Sequence, residues 1–320
     1  MCVILFPLSP FPFILILMHS RFTQGNLLWL DLESLTREEV QSVIDEFGIT
    51  HLVAEELLLP STKPHAEFHD NCIYLVLHFP ALRHAHKNRE QEIDFVIGKN
   101  FLITAHYDPI DQLHRFSKIF EVNSMLDSNK IGDHAGYLFF YMLKKMYGSI
   151  EHEIEYISRD LLMIEEHIFI GHEIDMVKAI SRSARDLLNL RQTIEPHREV
   201  LKSLDEGGVQ FFGQDFMPYL RAISNEYYRV HNHVMRHTDS LHELRESNNS
   251  LLSTKENETM RVLTIMALLT FPLSLMVAIL QIDTVHNPIR GLPYDFWIIL
   301  GTVVFTGSCM VIYFKHKKWL

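Results

Sequence analysis

The chain has 320 residues, 47% of them hydrophobic, and a formal net charge of −11. That acidity argues against nucleic acid as a partner, because binding a phosphate backbone needs a cationic surface. The mean hydropathy of +0.03 is high for a wholly water-soluble protein and low for one with many membrane spans, and the three scattered cysteines, Cys2, Cys72 and Cys309, exclude a disulfide framework or a cysteine-rich zinc motif.

Residues 1–17 (MCVILFPLSPFPFILIL) are apolar and uncharged. They lack the basic start of a secretory signal, and Pro7, Pro10 and Pro12 disfavour a continuous helix. Met18 is the expected first residue, with a membrane-associating extension as the alternative. Residues 18–132 read as an N-terminal α/β domain. Residues 28–32 (LWLDL) form a strand pattern. Thr36 with Glu39 three residues on is a capping box that opens a helix through Phe47. Residues 51–59 suggest a second short helix stopped by Pro60. Residues 72–79 (CIYLVLHF), 93–97 and 101–106 are β-rich, and the last two are joined by Gly98-Lys99-Asn100, a hairpin signal. Pro109 then starts a helix, since its fixed φ suits a first helical turn.

Residues 133–214 read as a charged helical pair, 134–170 and 173–204, broken at Gly171. Pro196 is expected to kink the second member, and Gly207-Gly208 and Gly213 to mark a turn. From Asp215, which can cap a helix, nothing stops the pattern until Ile282. Residues 215–282 therefore form one stalk helix running into a first span, roughly 100 Å long at 1.5 Å per residue.

Residues 262–282 (VLTIMALLTFPLSLMVAILQI) and 296–314 (FWIILGTVVFTGSCMVIYF) carry no charge. Each has about the ~20 residues a helix needs to cross ~30 Å of hydrocarbon. Residues 283–295 form a short external loop, and 315–320 a basic tail. Lys315, Lys317 and Lys318 follow the second span, Lys255 and Arg261 precede the first, and Arg290 is the single basic residue between them. The positive-inside rule places both termini in the cytoplasm of a cell membrane, inner or plasma. Trp297 and Trp319 are positioned to anchor the interfaces. Two helices cannot enclose an aqueous path, so passage of anything across the lipid bilayer requires several copies. The expected architecture is an α+β cytoplasmic domain, then long α-helices, then a two-helix C-terminal transmembrane hairpin.

The runs WLDL, CIYLVLHF, IGKNFLITAH, LNLRQTIEPHREVL, NETMRVLTIMALLTFPLSLMVAIL and YFKHKKWL occur in this order over nearly everything after Met18. In this the chain resembles the CorA family of divalent-cation channels, which includes ZntB-like zinc transporters. The resemblance implies a homopentamer with a funnel-shaped cytoplasmic part and a pore lined by the first span of each subunit. It implies Mg2+, with Co2+ or Zn2+ as other cargo, and gating by intracellular Mg2+ held between subunits. The chain departs from the family at one point. Where the family carries Gly-Met-Asn, this sequence has Gln281-Ile282-Asp283. A ring of neutral oxygens can hold an ion that keeps its water, as Mg2+ prefers. A ring of Asp283 carboxylates would attract divalent ions more strongly, and conduction needs binding weak enough for release. Altered ion preference, slower transport and a non-conducting scaffold or modulatory subunit are the three readings of that change.

Asn257, Met260, Leu263, Ala267, Phe271, Ser274 and Ala278 recur at three or four residues and share one helix face. By resemblance this face lines the pore, with Met260 and Leu263 as a hydrophobic constriction and Asn257 as a polar ring at the cytoplasmic mouth. Without the resemblance, such a stripe is a packing surface. Pro272 is expected to bend or loosen the span. Twenty histidines, among them His65 with His69, His84 with His86, and His233 with His237 beside His231 and His242, suit zinc, cobalt or nickel, though solvated histidines are the plainer reading. The acidic run Glu151, Glu153, Glu155, Asp160, Glu165, Glu166, Glu173 and Asp175 reads as a solvated helix face. No P-loop and no G-x-G-x-x-G is present, which leaves ATP-driven transport and an enzyme without support.

Overall fold

The computed structural model describes residues 19–81, 90–125, 134–282 and 294–317. Residues 1–18, including the expected start at Met18, lie outside them. The chain divides into two units. One takes Met1–Glu166 and Lys178–His242; the other takes His167–Val177 and Glu243–Leu320.

The first unit is built on a six-stranded sheet of order β1-β2-β6-β5-β4-β3. The strands are β1 (His19–Gln24), β2 (Leu27–Glu33), β3 (His65–Phe68), β4 (Ile73–Pro80), β5 (Glu90–Ile97) and β6 (Phe101–His106). Pairing is antiparallel except between β2 and β6, where Trp29 stands opposite Leu102 in a parallel register. Every residue of β4 is buried, as expected of a strand covered on both faces. On one face lie α1 (Arg37–Phe47) and α2 (His51–Glu56). Their Val40, Val43, Val53 and Ala54 join Leu30, Tyr74, Val76, Val96 and Ile103 in one core. The capping box at Thr36 forms as the sequence indicates: its backbone N–H donates to Glu39 at 2.8 Å, and its hydroxyl accepts from the Glu39 N–H at 3.4 Å. The other face meets α3 (Asp111–Met125) and α4 (Ala135–Phe169). Trp29 packs edge-on against Phe116 at 5.6 Å and Phe120 at 5.9 Å, and Phe95 against Phe139 at 5.3 Å.

The helical region differs from the expected pair. Three helices form: α4, α5 (Glu173–Ile194) and α6 (His197–Phe212). Pro196 does not kink a continuous helix. It separates two, because its ring denies the preceding turn an N–H donor. Gly207 and Gly208 are not a turn; they lie inside α6. A Cβ on Gly207 would stand 2.3 Å from the Phe68 ring, so the glycine allows β3 to approach α6. The turn is at Gly213, whose φ of 94° favours glycine. A short 3-10 turn (Gln214–Phe216) then leads into α7 (Met217–Leu280), a helix of 64 residues, and α8 (Asp295–His316) closes the described chain. Strands β1 and β3 were not foreseen, being short and without clear alternation.

One buried hydrogen-bond chain ties three elements of this unit together. His197 at the start of α6 lies 2.7 Å from the His78 carbonyl through Nε2, and Tyr147 of α4 lies 2.9 Å from Nδ1. A carbonyl can only accept, so Nε2–H donates to it and Nδ1 accepts from the tyrosine hydroxyl. Burial pushes this imidazole down to about 4, so the neutral ring is the folded form. The unfolded chain binds the proton near 6.5. The contribution is therefore complete above that value and is lost as pH falls toward 4, amounting to roughly 3 kcal/mol. The thermal midpoint of the detergent-solubilised protein is expected to fall between neutral pH and pH 4, and His197→Leu should lower the midpoint at pH 7 while flattening that decline. An unchanged pH profile in the variant would remove His197 as its source.

Candidate functional site

The second unit holds the two helices that are long and apolar enough to cross a membrane, the end of α7 and all of α8. Their threonines bond back to their own helix backbone. Thr264 donates to the Met260 carbonyl at 2.7 Å, Thr270 to Met266 at 2.9 Å, Thr302 to Ile298 at 2.8 Å and Thr306 to Thr302 at 2.9 Å. Such bonds let hydroxyls sit in hydrocarbon, where no water is available. Pro272 lies within α7 and the helix continues through it. The missing N–H leaves the Leu268 carbonyl without its intrahelical donor.

The two spans touch through a defined stripe. Leu273 lies against Gly307, whose added Cβ would stand 3.5 Å away, and the Met276 sulfur is 3.9 Å from the Thr306 hydroxyl. Ile265, Leu269 and Leu280 continue this stripe and are more covered than their neighbours. At 100° per residue the face of Asn257, Met260, Leu263, Ala267, Phe271, Ser274 and Ala278 is centred about 170° away from it. Met260, Leu263 and Phe271 are 61%, 55% and 74% exposed in the single chain, against 5% for Ile265. Asn257, Ser274 and Ala278 are exposed too, and Ala267 is half-buried. The seven residues thus share one face, turned away from the second span. An apolar surface of that extent is covered by lipid or by other copies.

The C-terminal end of α7 unwinds at Leu280. The Gln281 N–H still reaches the Val277 carbonyl at 3.0 Å, and the Ile282 N–H reaches Ile279 at 3.2 Å. Both side chains are exposed. Asp283 lies outside the described residues, as do Arg290, Lys318 and Trp319. At the other end, two residues before Asn257, Lys255 donates to the Glu173 carboxylate at 2.6 Å and to the Gly171 carbonyl at 3.2 Å. This clamp fastens the turn between α4 and α5 to α7. Glu173 is buried there, so it leaves the solvated acidic face to which the sequence assigned it. Other members of that run have partners: Glu151 is ion-paired with Arg229 at 3.0 Å, Glu155 lies 3.5 Å from His152 and Asp175 lies 3.6 Å from His172. The Lys255 clamp could not be read from the sequence, since its partners are 82 and 84 positions away.

His65 does not pair with His69. Its Nε2 lies 3.2 Å from Glu56, while His69 lies 3.4 Å from Glu67. Glu56, His65 and Glu67 offer ligand atoms within 4.8 Å of one another, a set able to hold a divalent ion. The signal was the alternation of His65 and Glu67, which puts both on one side of β3. Burial, and then the neighbouring His233, lower the pKa of His237. His84 and His86 fall outside the described residues.

Residues 24–316 match the family described as CorA-like Mg2+ transporter protein. The chain belongs to that family. It is similar to the cobalt/magnesium transport protein CorA of Thermotoga maritima, with 26% identity over 300 residues, covering 91% of this chain and 83% of the relative. The solved CorA magnesium transporter of Methanocaldococcus jannaschii matches with a TM-score of 0.80 at 17% identity over 93% of each chain. The cytoplasmic domain of ZntB from Vibrio parahaemolyticus matches with a TM-score of 0.60 at 12% identity, covering 73% of this chain and 91% of that one. The first likeness shows a shared fold over the α/β sheet domain, the long helix and the C-terminal helix, and the second shows it over the part that corresponds to a cytoplasmic domain.

Lys255 beside Glu173, aided by the helix start, holds that carboxyl below the usual carboxylate range. Its contribution is therefore complete above the ordinary carboxylate pKa and is lost as pH falls through the lowered folded value. Amide exchange of residues 170–176 is expected to quicken several-fold in Lys255→Met, and likewise in acid for the unaltered protein after correction for intrinsic rates. Exchange insensitive to the substitution would show that the clamp does not hold the turn.

Proposed function

We propose that this chain is a membrane transporter for divalent metal cations, with Mg2+ as the principal cargo and Co2+ a second. The observation that carries the reading is the face of α7 opposite α8, within a chain of the CorA-like family. Several copies, five by family resemblance, bring that face together around a central path. Asn257 forms the cytoplasmic mouth, and Met260 with Leu263 forms a constriction that closes by dewetting. Ala267, Phe271, Ser274 and Ala278 line the remainder. Gln281, Ile282 and Asp283 stand at the outer entrance, where the Asp283 carboxylates draw divalent ions to the membrane. Both termini face the cytoplasm, supported by the basic residues that flank the spans. The membrane potential drives entry, contributing ~2.3 kcal/mol per charge per 100 mV and about twice that for a divalent ion. The closing action of intracellular Mg2+ rests on the family resemblance alone.

Purified protein in liposomes, with a Mg2+ dye inside and an inside-negative potential, is expected to admit Mg2+. Cobalt hexammine, a mimic of the hydrated ion, should block entry. Zn2+ entry without Mg2+ would favour the zinc reading, which the likeness to the ZntB domain supports. Silence toward Mg2+, Co2+ and Zn2+ from an assembled oligomer would overturn transport in favour of a scaffold or modulatory subunit. Met260→Gly or Leu263→Gly should raise the flux severalfold, and a flux equal to that of the unaltered protein would place the constriction elsewhere. Asp283→Asn is expected to change the order of ion preference, because it removes the charge of the outer ring; an unaltered order would take Asp283 out of the selection step.

A further inference from the structure

Between α3, α4 and α7 the first unit has a cavity of about 570 Å3, within the range of small-molecule sites. Its charge is opposite to that of the chain. Arg115, Lys144, Lys145 and Arg229 line it, in a protein with a net charge of −11. Arg229 is already matched by Glu151 at 3.0 Å and by Glu226. Among the described residues no carboxylate pairs with Arg115, Lys144 or Lys145, and Lys144 instead lies 5.9 Å from the centre of the Phe140 ring. Like charges brought together without counter-ions repel one another, and an anion in the cavity removes that repulsion.

Two further features point to an occupant. Gly148 sits inside α4 between the lysines and His152, and a Cβ built on it would meet nothing within 4 Å. Glycine weakens a helix interior relative to alanine, and packing here does not require it. What its missing side chain provides is room in the cavity. Ile119 and Tyr141, both exposed, supply an apolar wall beside the cations. A flat ring joined to several negative charges matches that division.

We propose that this cavity binds a nucleoside polyphosphate, its phosphates on Arg115, Lys144 and Lys145 and its base against Ile119 and Tyr141. Its lining shares no residue with the ion path proposed above, so binding can be measured whether or not the protein conducts. Equilibrium dialysis of ATP against the full-length protein in detergent, with chelator present, is expected to show saturable binding that weakens as salt is raised. The double substitution Lys144→Gln with Lys145→Gln should weaken it about tenfold or more. Gly148→Leu, which fills the cavity without altering charge, should weaken it as well. Lys178→Gln, an exposed lysine on α5, should leave it unchanged. Circular dichroism confirms that each variant is folded. Inorganic tripolyphosphate is expected to compete less well than ATP, and adenosine poorly. No saturable ATP binding, or binding undiminished in the folded double variant, would overturn the site. Adenosine competing as well as ATP would overturn the role of the cations, and tripolyphosphate competing as well as ATP would overturn that of the base.

Discussion

Hydrocarbon offers no hydrogen-bond partner to a peptide group, and this constraint governs the two apolar spans near the end of the sequence. Every N–H and C=O that enters the bilayer must find its partner inside the same helix. The two spans meet it by being continuous helices, and their threonines by folding back on the preceding turn. Pro272 is the exception, leaving one carbonyl without its helical donor. An unpaired carbonyl in the apolar segment is most easily tolerated where water or another chain comes near. Apolar burial cannot drive the spans together, since lipid tails are as apolar as leucine. Contact depends instead on shape, and Gly307 lets Leu273 come close.

The face left over has a different character. It is not uniformly apolar: asparagine opens it, methionine and leucine follow, and serine and alanine lie toward the far end. In the transport reading proposed above, the small residues toward the end of α7 would leave width for an ion with its water, Met260 and Leu263 would narrow the way, and Phe271 interrupts the gradient between them.

Much of this was legible from residues alone, for identifiable reasons. β4, β5 and β6 are buried, β-branched and bounded by turn residues, so their pattern was strong. The Thr36 box and the two spans are likewise local signals. What failed was whatever depended on a distant partner. Gly207 reads as part of a turn because nothing nearby explains it; Phe68, far along the chain, does. Glu173 looked solvated until Lys255 was found beside it. His197 looked like one histidine among twenty, yet it is the fully buried link between β4, α4 and α6. Strand β3 was missed because four residues, HAEF, do not make a pattern. With it went the approach of Glu56, His65 and Glu67.

The margins of the sheet carry a consequence for life in a crowded cell. Among the described strands β1 and β3 are outermost, and an outermost strand exposes backbone groups to which another chain can add. Here β3 is only four residues long and bears His65 and Glu67. Along β1, Arg21 is held by Glu46 of α1 at 2.6 Å, a charged side chain fixed beside the rim. Short length and charge are the usual guards against strand-to-strand aggregation. The assembly proposed above would bring these sheets to high local concentration, and rims so defended would let the copies meet without seeding fibres.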